Sequence, residues 1–152
     1  MRKCDEFTRG IVETAMTLKN VLEKKYGRQN MAMMGKCIEA SDTLVELLKQ
    51  KGYTARAKQV WVLYQNFESC SDYCYEEHWI VEVTHGNHKV YVDITLNQFQ
   101  WAFSMALPRV WVSKHLATFM LPRKPGRDTL RKCGWTDWYN TGDYYNQFEY
   151  RL

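Results

Sequence analysis

No stretch of this sequence approaches the roughly 18 consecutive apolar residues that read as a bilayer span, and its start, Met1-Arg2-Lys3-Cys4-Asp5-Glu6, lacks the apolar core of a secretion signal. The expectation is a cytoplasmic protein with no membrane role. A phosphate-binding glycine loop, a dinucleotide fingerprint and a serine-centred elbow are all missing, which removes the commonest nucleotide-binding and serine-hydrolase signatures. Internal repeats and low-complexity segments are lacking too. Proline is scarce: Pro108, Pro122 and Pro125 mark breaks in the C-terminal third. The five cysteines (Cys4, Cys37, Cys70, Cys74 and Cys133) are odd in number and irregular in spacing, which excludes a simple disulfide framework and leaves at least one thiol free. Charge excess is small, since 21 basic against 17 acidic side chains give +4, well interspersed. That balance argues against nucleic acid as a partner. A basic cluster at Arg123, Lys124, Arg127, Arg131 and Lys132 reads first as a solvated loop and second as a patch for an anionic partner.

What is present is the makings of one globular domain spanning 1-152. Hydrophobic residues at 45% and charged ones at 25% match the ordinary folded mixture, and 152 residues can bury a sizeable core. From about Asp5 to Tyr26, Ile11, Val12, Ala15, Met16, Leu18, Val21 and Leu22 recur at three- and four-residue steps, predicting a helix with one buried face that Gly27 closes. Residues 28–35 lack a period and read as a partly buried connection rich in methionine. A second helix is predicted from Cys37 to Lys51, with Ile38, Leu44, Val45, Leu47 and Leu48 apolar and Gly52 as its stop. Alternation then predicts strands over Tyr53–Tyr64, His78–Val83 and Lys89–Thr95, with a polar loop from Gln65 to Glu77 that could face a substrate. Beyond these, Leu96–Ala106 reads as a short helix, Arg109–Ser113 as a strand and Lys114–Met120 as a helical turn. Aromatic residues, Trp135, Trp138, Tyr139, Tyr144, Tyr145, Phe148 and Tyr150, crowd the tail, part of an expected cover over about 107-152 packed across the sheet. The fold class is therefore α+β, with N-terminal helices packed on a mostly antiparallel sheet.

Cys37 is the residue that suggests chemistry. A thiol at a helix start feels unpaired N–H groups and the positive end of the helix dipole, both of which favour thiolate. Lys36 adds to that effect, while Glu39 and Asp42 oppose it. The two later strands supply partners by parity. Trp79, Val81 and Val83 share one face and Val90, Val92 and Ile94 another, so placing both triplets on one core puts His78 and Asp93 together on the opposite face. A two-residue turn at His85-Gly86 would set His78 directly opposite Asp93, with β-carbons roughly 5 Å apart. A turn at Gly86-Asn87 would make them diagonal neighbours on the same face, and a three-residue turn would separate them.

Acyl transfer to cysteine needs a thiolate, an imidazole to move protons and a carboxylate to orient the imidazole, roles open to Cys37, His78 and Asp93 in that order. An oxyanion hole would take the backbone N–H of Cys37 plus a side-chain donor such as Gln29, Asn30 or the Trp79 indole. Taken singly, a cysteine on an apolar helix is a small hydrophobe and a histidine on a strand is structural. Their joint occurrence on compatible faces favours chemistry. A competing reading places zinc among Cys70, Cys74, His78, His85 and His88, though the C-x3-C and H-x2-H pieces lack knuckle spacing.

The run Gly35-Lys36-Cys37-Ile38-Glu39-Ala40-Ser41, then His78-Trp79-Ile80-Val81-Glu82-Val83, then Tyr91-Val92-Asp93-Ile94-Thr95 followed by Gln98-Phe99, resembles the transglutaminase-like branch of the papain-like cysteine protease superfamily. The likeness covers about 34-99. It departs from the family at Ile94, where proline is frequent, and at Lys36 and Ile38 beside the cysteine. The resemblance implies Cys37, His78 and Asp93 as a triad on a papain-like/transglutaminase-like core. It also implies a thioester on Cys37, a peptidase, glutamine deamidase or transglutaminase activity, and a protein or peptide substrate attacked at an amide or a glutamine side chain. No cofactor or resident metal is expected on this reading. An inactive member of the same fold that binds a protein partner, and a zinc-stabilised binding module, are the alternatives.

Overall fold

Asp5 opens the first helix by accepting a hydrogen bond from Thr8 N at 2.6 Å, which satisfies one of the amides a helix start leaves unpaired. The computed structural model describes residues 5–65, 73–103, 106–126 and 144–145. Helix α1 runs Glu6–Tyr26 and stops at Gly27, whose φ of 109° is open to glycine. Its inward face buries Ile11, Val12, Ala15, Leu18 and Leu22, as the spacing requires. Val21, expected on that face, is 55% exposed, and Lys19 and Glu23 are buried instead. A short 3₁₀ helix, Asn30–Met33, leads to helix α2, Cys37–Gln50, which buries Ala40, Ser41, Leu44, Val45 and Leu48 and leaves Ile38 exposed.

The strands are β1 (Thr54–Gln65), β2 (Tyr73–His85), β3 (His88–Asp93), β4 (Trp111–Ser113), β5 (Met120–Leu121) and β6 (Tyr144–Tyr145). They form one sheet in the order β5-β1-β2-β3-β4-β6, with every pairing antiparallel. The architecture is α+β. One apolar cluster joins α1 and α2 to Ala55, Val81, Val83, Val90 and Val92. A second gathers Val60, Val62, Ile80, Leu96, Phe99, Trp111 and Phe119. Strand β2 is thus buried on both faces along its centre, where His78, Ile80 and Glu82 lie as deep as Val81 and Val83.

The hairpin pairs Val81 with Val92, Val83 with Val90 and His85 with His88. Its turn is therefore Gly86-Asn87, the second of the two two-residue turns that parity allows, and not His85-Gly86. Gly86 sits at the first central position with φ of 58°, where a left-handed backbone matches the strands' twist and glycine bears no penalty. His78 and Asp93 remain on one face as diagonal neighbours. Strand β3 ends at Asp93 while β2 continues back to Tyr73, so His78 lies beyond the β3 pairing but still opposite Val60 of β1.

Other boundaries shift for tertiary reasons. Strand pairing extends β1 to Gln65 and starts β2 at Tyr73, so both ends of the expected long loop are strand, and its middle, 66–72, lies outside the described residues. Leu96–Ala102 is a 3₁₀ helix rather than a longer helix to Ala106. The expected helical turn over Lys114–Met120 is not helical: Leu63 N donates to Phe119 O at 2.8 Å and Met120 pairs with Val62, so this apolar segment joins the sheet. Of the aromatic tail, Tyr144–Tyr145 pairs with β4, and the rest lies outside the described residues.

Candidate active site

The start of α2 is left unfilled by its own sequence. Its cap residue is Lys36, which offers no side-chain acceptor, and its first intrahelical bond is Ala40 N to Lys36 O. The amides of Cys37, Ile38 and Glu39 precede that bond and point outward along the helix dipole. Gly35 turns the chain into this position with φ of 75°, and its N–H donates to Gln98 Oε1 at 3.3 Å. A β-carbon at Gly35 would meet nothing within 4 Å, so any cost of substitution is conformational. Gly35→Ala is expected to lower stability by about 1–2 kcal/mol, measured as a shift of the urea midpoint with an unchanged slope.

Around this helix start the structure gathers Cys37 with His78 and Asp93, the pair expected from parity. His78 is fully buried, and its Nε2 lies 2.6 Å from Asp93 Oδ2. Asp93 is held in turn through Oδ1, which accepts from Thr95 N at 2.9 Å and from the Thr95 hydroxyl at 3.3 Å. Nδ1 faces the Gln98 side-chain amide, and the half-buried thiol is in hydrogen-bonding contact with the imidazole. The Phe99 ring meets His78 edge-on at 4.9 Å and fixes its plane.

The electrostatics favour an ion pair. Burial pulls the His78 imidazole down, but the Asp93 carboxylate, its hydrogen bond and the Cys37 sulfur override that and raise the group to about 9. Burial pushes the Cys37 thiol up, while the hydrogen bond and charge of His78 and the Trp79 main-chain amide outweigh it, so the thiol lies below its usual value. A thiolate beside an imidazolium is the form these neighbours favour.

The three side chains suggested as oxyanion donors are placed differently. Gln29 is exposed at the start of the 3₁₀ helix and makes no capping bond. Asn30 begins that helix, and its side chain is not among those described. Trp79 reaches Cys37 through its backbone amide, while its carbonyl accepts from Ser41 Oγ at 3.0 Å and ties α2 to β2.

Gln98 holds a position to which sequence patterning assigns no role. It is 5% exposed, accepts from Gly35 N, and presents Nε2 at 3.3 Å from both His78 Nδ1 and Thr95 Oγ1. In the sequence it stands out only beside Phe99 in the family resemblance, with no role attached.

Lys19 is a second such residue. It is 1% exposed, and its Nζ donates to Ile94 O at 2.5 Å and to Asn97 Oδ1 at 3.0 Å, clamping the turn after Asp93. One helical turn further along α1, Glu23 pairs with Arg109, which also donates to Asn20.

The described residues of the zinc reading do not assemble. Among the described residues no three histidine, cysteine, aspartate or glutamate side chains converge on a metal position. Cys70 lies outside the described residues, His85 stacks on Phe7, and both nitrogens of His78 have protein neighbours. No helix among the described residues is long and apolar enough to cross a membrane.

No family model and no curated protein matches the chain. Among solved structures, similarity is found to the C-terminal region of Pasteurella multocida toxin, whose crystal structures reveal a thiol-protease like catalytic triad. The match covers 72% of this chain at 14% identity with a TM-score of 0.42, and it spans 15% of the toxin chain.

Proposed function

We propose that this protein attacks an amide through a thioester on Cys37, as a cysteine-dependent hydrolase or acyl transferase of the peptidase, glutamine deamidase or transglutaminase type. The observation that carries the reading is the fully buried His78, bonded to Asp93 on one side and to a half-buried thiol at an unfilled helix start on the other. A structural histidine needs neither a thiol neighbour nor so exposed a helix end.

In the proposed reaction the Cys37 thiolate adds to the carbonyl carbon, and the carbonyl electrons move to oxygen. The backbone N–H of Cys37 donates to the developing oxyanion, with the second donor supplied by a side chain such as Gln29, Asn30 or the Trp79 indole. His78 gives its Nδ1 proton to the nitrogen, the C–N bond breaks, and an amine or ammonia leaves. Water or an incoming amine then loses its proton to His78 and attacks the thioester, which returns the sulfur as thiolate. Asp93 stays ionised throughout and stabilises the imidazolium.

The test needs no known substrate. Iodoacetamide labelling, resolved by peptide mass spectrometry, reports Cys37 apart from the other four thiols. The expected result is labelling at pH 6 at least tenfold faster than for a free thiol of pKa about 8.5, with the advantage lost in His78→Ala. A Cys37 that labels no faster than a free thiol would sink the enzyme reading and leave a binding module on the same fold.

A further inference from the structure

A pocket of about 220 Å³ opens between the first turns of α2 and the sheet, lined by Ile38, Ser41, Asp42, Ala57 and Trp79. Two of its lining residues neighbour Cys37. Ile38 comes directly after Cys37 in the helix, and Trp79 gives its main-chain amide to the sulfur. Its size is below the roughly 300–1,000 Å³ of pockets that take a drug-sized ligand, and suits one side chain.

The lining is chemically specific. Ile38, Ala57 and the half-buried Trp79 make apolar walls, and Ile38 is 57% exposed, an unusual position for a branched aliphatic residue. Ser41 has its hydroxyl committed to Trp79 O. Asp42 supplies the remaining polar group, and it makes no ion pair among the described residues. Glu39, the other acid near the helix start, is by contrast taken up by the Tyr26 hydroxyl and Lys25. The basic side chains nearby are directed elsewhere. Lys36 places its ammonium 4.8 Å over the Tyr26 ring, and Lys58, next to Ala57, points to the opposite face of β1, 4.0 Å from Glu82.

We infer that this pocket is a specificity site for a lysine or arginine side chain flanking the attacked amide of the substrate. The aliphatic stem lies on Ile38 and Ala57, the cation meets the Trp79 face, and Asp42 neutralises it. The inference rests on the thioester reading of Cys37. An exposed carboxylate and a cation–π contact together support a preference of about tenfold over an uncharged chain of equal length, falling as salt is raised.

Short peptides carrying a thiol-reactive vinyl sulfone test it when they differ only in the flanking residue: lysine, arginine, norleucine or glutamate. The second-order labelling rate at Cys37 is read by peptide mass spectrometry. In the native protein the lysine and arginine probes are expected to react about tenfold faster than norleucine, with glutamate slowest. Asp42→Asn is expected to shrink the lysine and arginine advantage to the few-fold that the Trp79 contact alone supports, and Asp42→Lys to favour glutamate. Equal lysine and norleucine rates in the native protein, or a basic preference undiminished in Asp42→Asn, would overturn the pocket assignment. Iodoacetamide separates that failure from failure of the parent reading: fast labelling of Cys37 without probe preference overturns the pocket alone, and slow labelling by every reagent overturns both.

Discussion

Asp93→Asn is expected to lower the turnover of any amide substrate by about 10²–10⁴-fold while leaving the fold intact. The geometry explains why so small a change has so large an effect. The asparagine oxygen can keep the bond from Thr95 N, 2.9 Å in the native protein, so the turn is preserved. Its amide nitrogen then faces His78 Nε2, which must accept rather than donate. The imidazole proton moves to Nδ1, and that nitrogen can no longer take the proton of Cys37. Without the carboxylate, burial is unopposed and the imidazole loses the support that holds it at about 9. The thiol in turn loses its cationic neighbour, so the pH midpoint of Cys37 alkylation is expected to rise to about 8.5 or above.

Stability changes with a sign set by the same shift. In the native protein His78 binds its proton more tightly folded than unfolded, about 9 against 6.5. Its contribution is fully present below pH 6.5 and is lost as pH rises through 9. At 1.36 kcal/mol per unit this amounts to about 3 kcal/mol, so Asp93→Asn is expected to be most destabilising in acid and least near pH 9. An unchanged alkylation midpoint, together with a stability loss that ignores pH, would show that Asp93 only fills space.

The face shared by His78 and Asp93 was legible in the sequence because side chains alternate strictly along a strand, and either two-residue turn keeps the two together. The pair itself was less so, because the register depends on Gly86 entering the turn first, and a glycine beside an asparagine permits either choice. The helix start at Cys37 was readable from the apolar stripe downstream of it, which runs through Leu44 and Leu48 and ends at Gly52. Gln98 and Lys19 were not readable. Each is defined by what another element brings to it, Gly35 to one and Ile94 to the other, and neither contact leaves a local pattern. The segment around Phe119 failed for a related reason, since its apolar spacing suits a helix until β1 offers an open edge. Residue 38 shows the converse. Its apolar side chain read as core, and its exposure beside the pocket became visible only in the fold.

Lys19→Met is expected to change stability little at pH 7 and to destabilise the protein by about 2 kcal/mol at pH 10, a reversal of the usual loss from removing a buried ion. Two effects of similar size compete. The ammonium is 1% exposed, and burial lowers it to about 8 despite Asp93, with the Arg109 charge adding to the fall. Near neutral pH the folded protein therefore carries a cost of about 3 kcal/mol for keeping Lys19 charged, which methionine relieves. Against this, methionine leaves Ile94 O and Asn97 Oδ1 without the Nζ donor, at about 1–3 kcal/mol for each buried acceptor. Between pH 8 and 10.5 the unfolded chain holds the lysine proton that the folded chain releases, so raising pH stabilises the native protein through this group. The relief offered by methionine fades over that range, and the loss of the two Nζ bonds remains. Urea denaturation of both proteins at pH 7 and pH 10 measures the crossover, and an equal loss at the two values would show that Lys19 does not titrate between them. The same turn carries Asp93, Thr95 and Gln98, so Cys37 labelling in Lys19→Met is also expected to slow at neutral pH, with the fold retained.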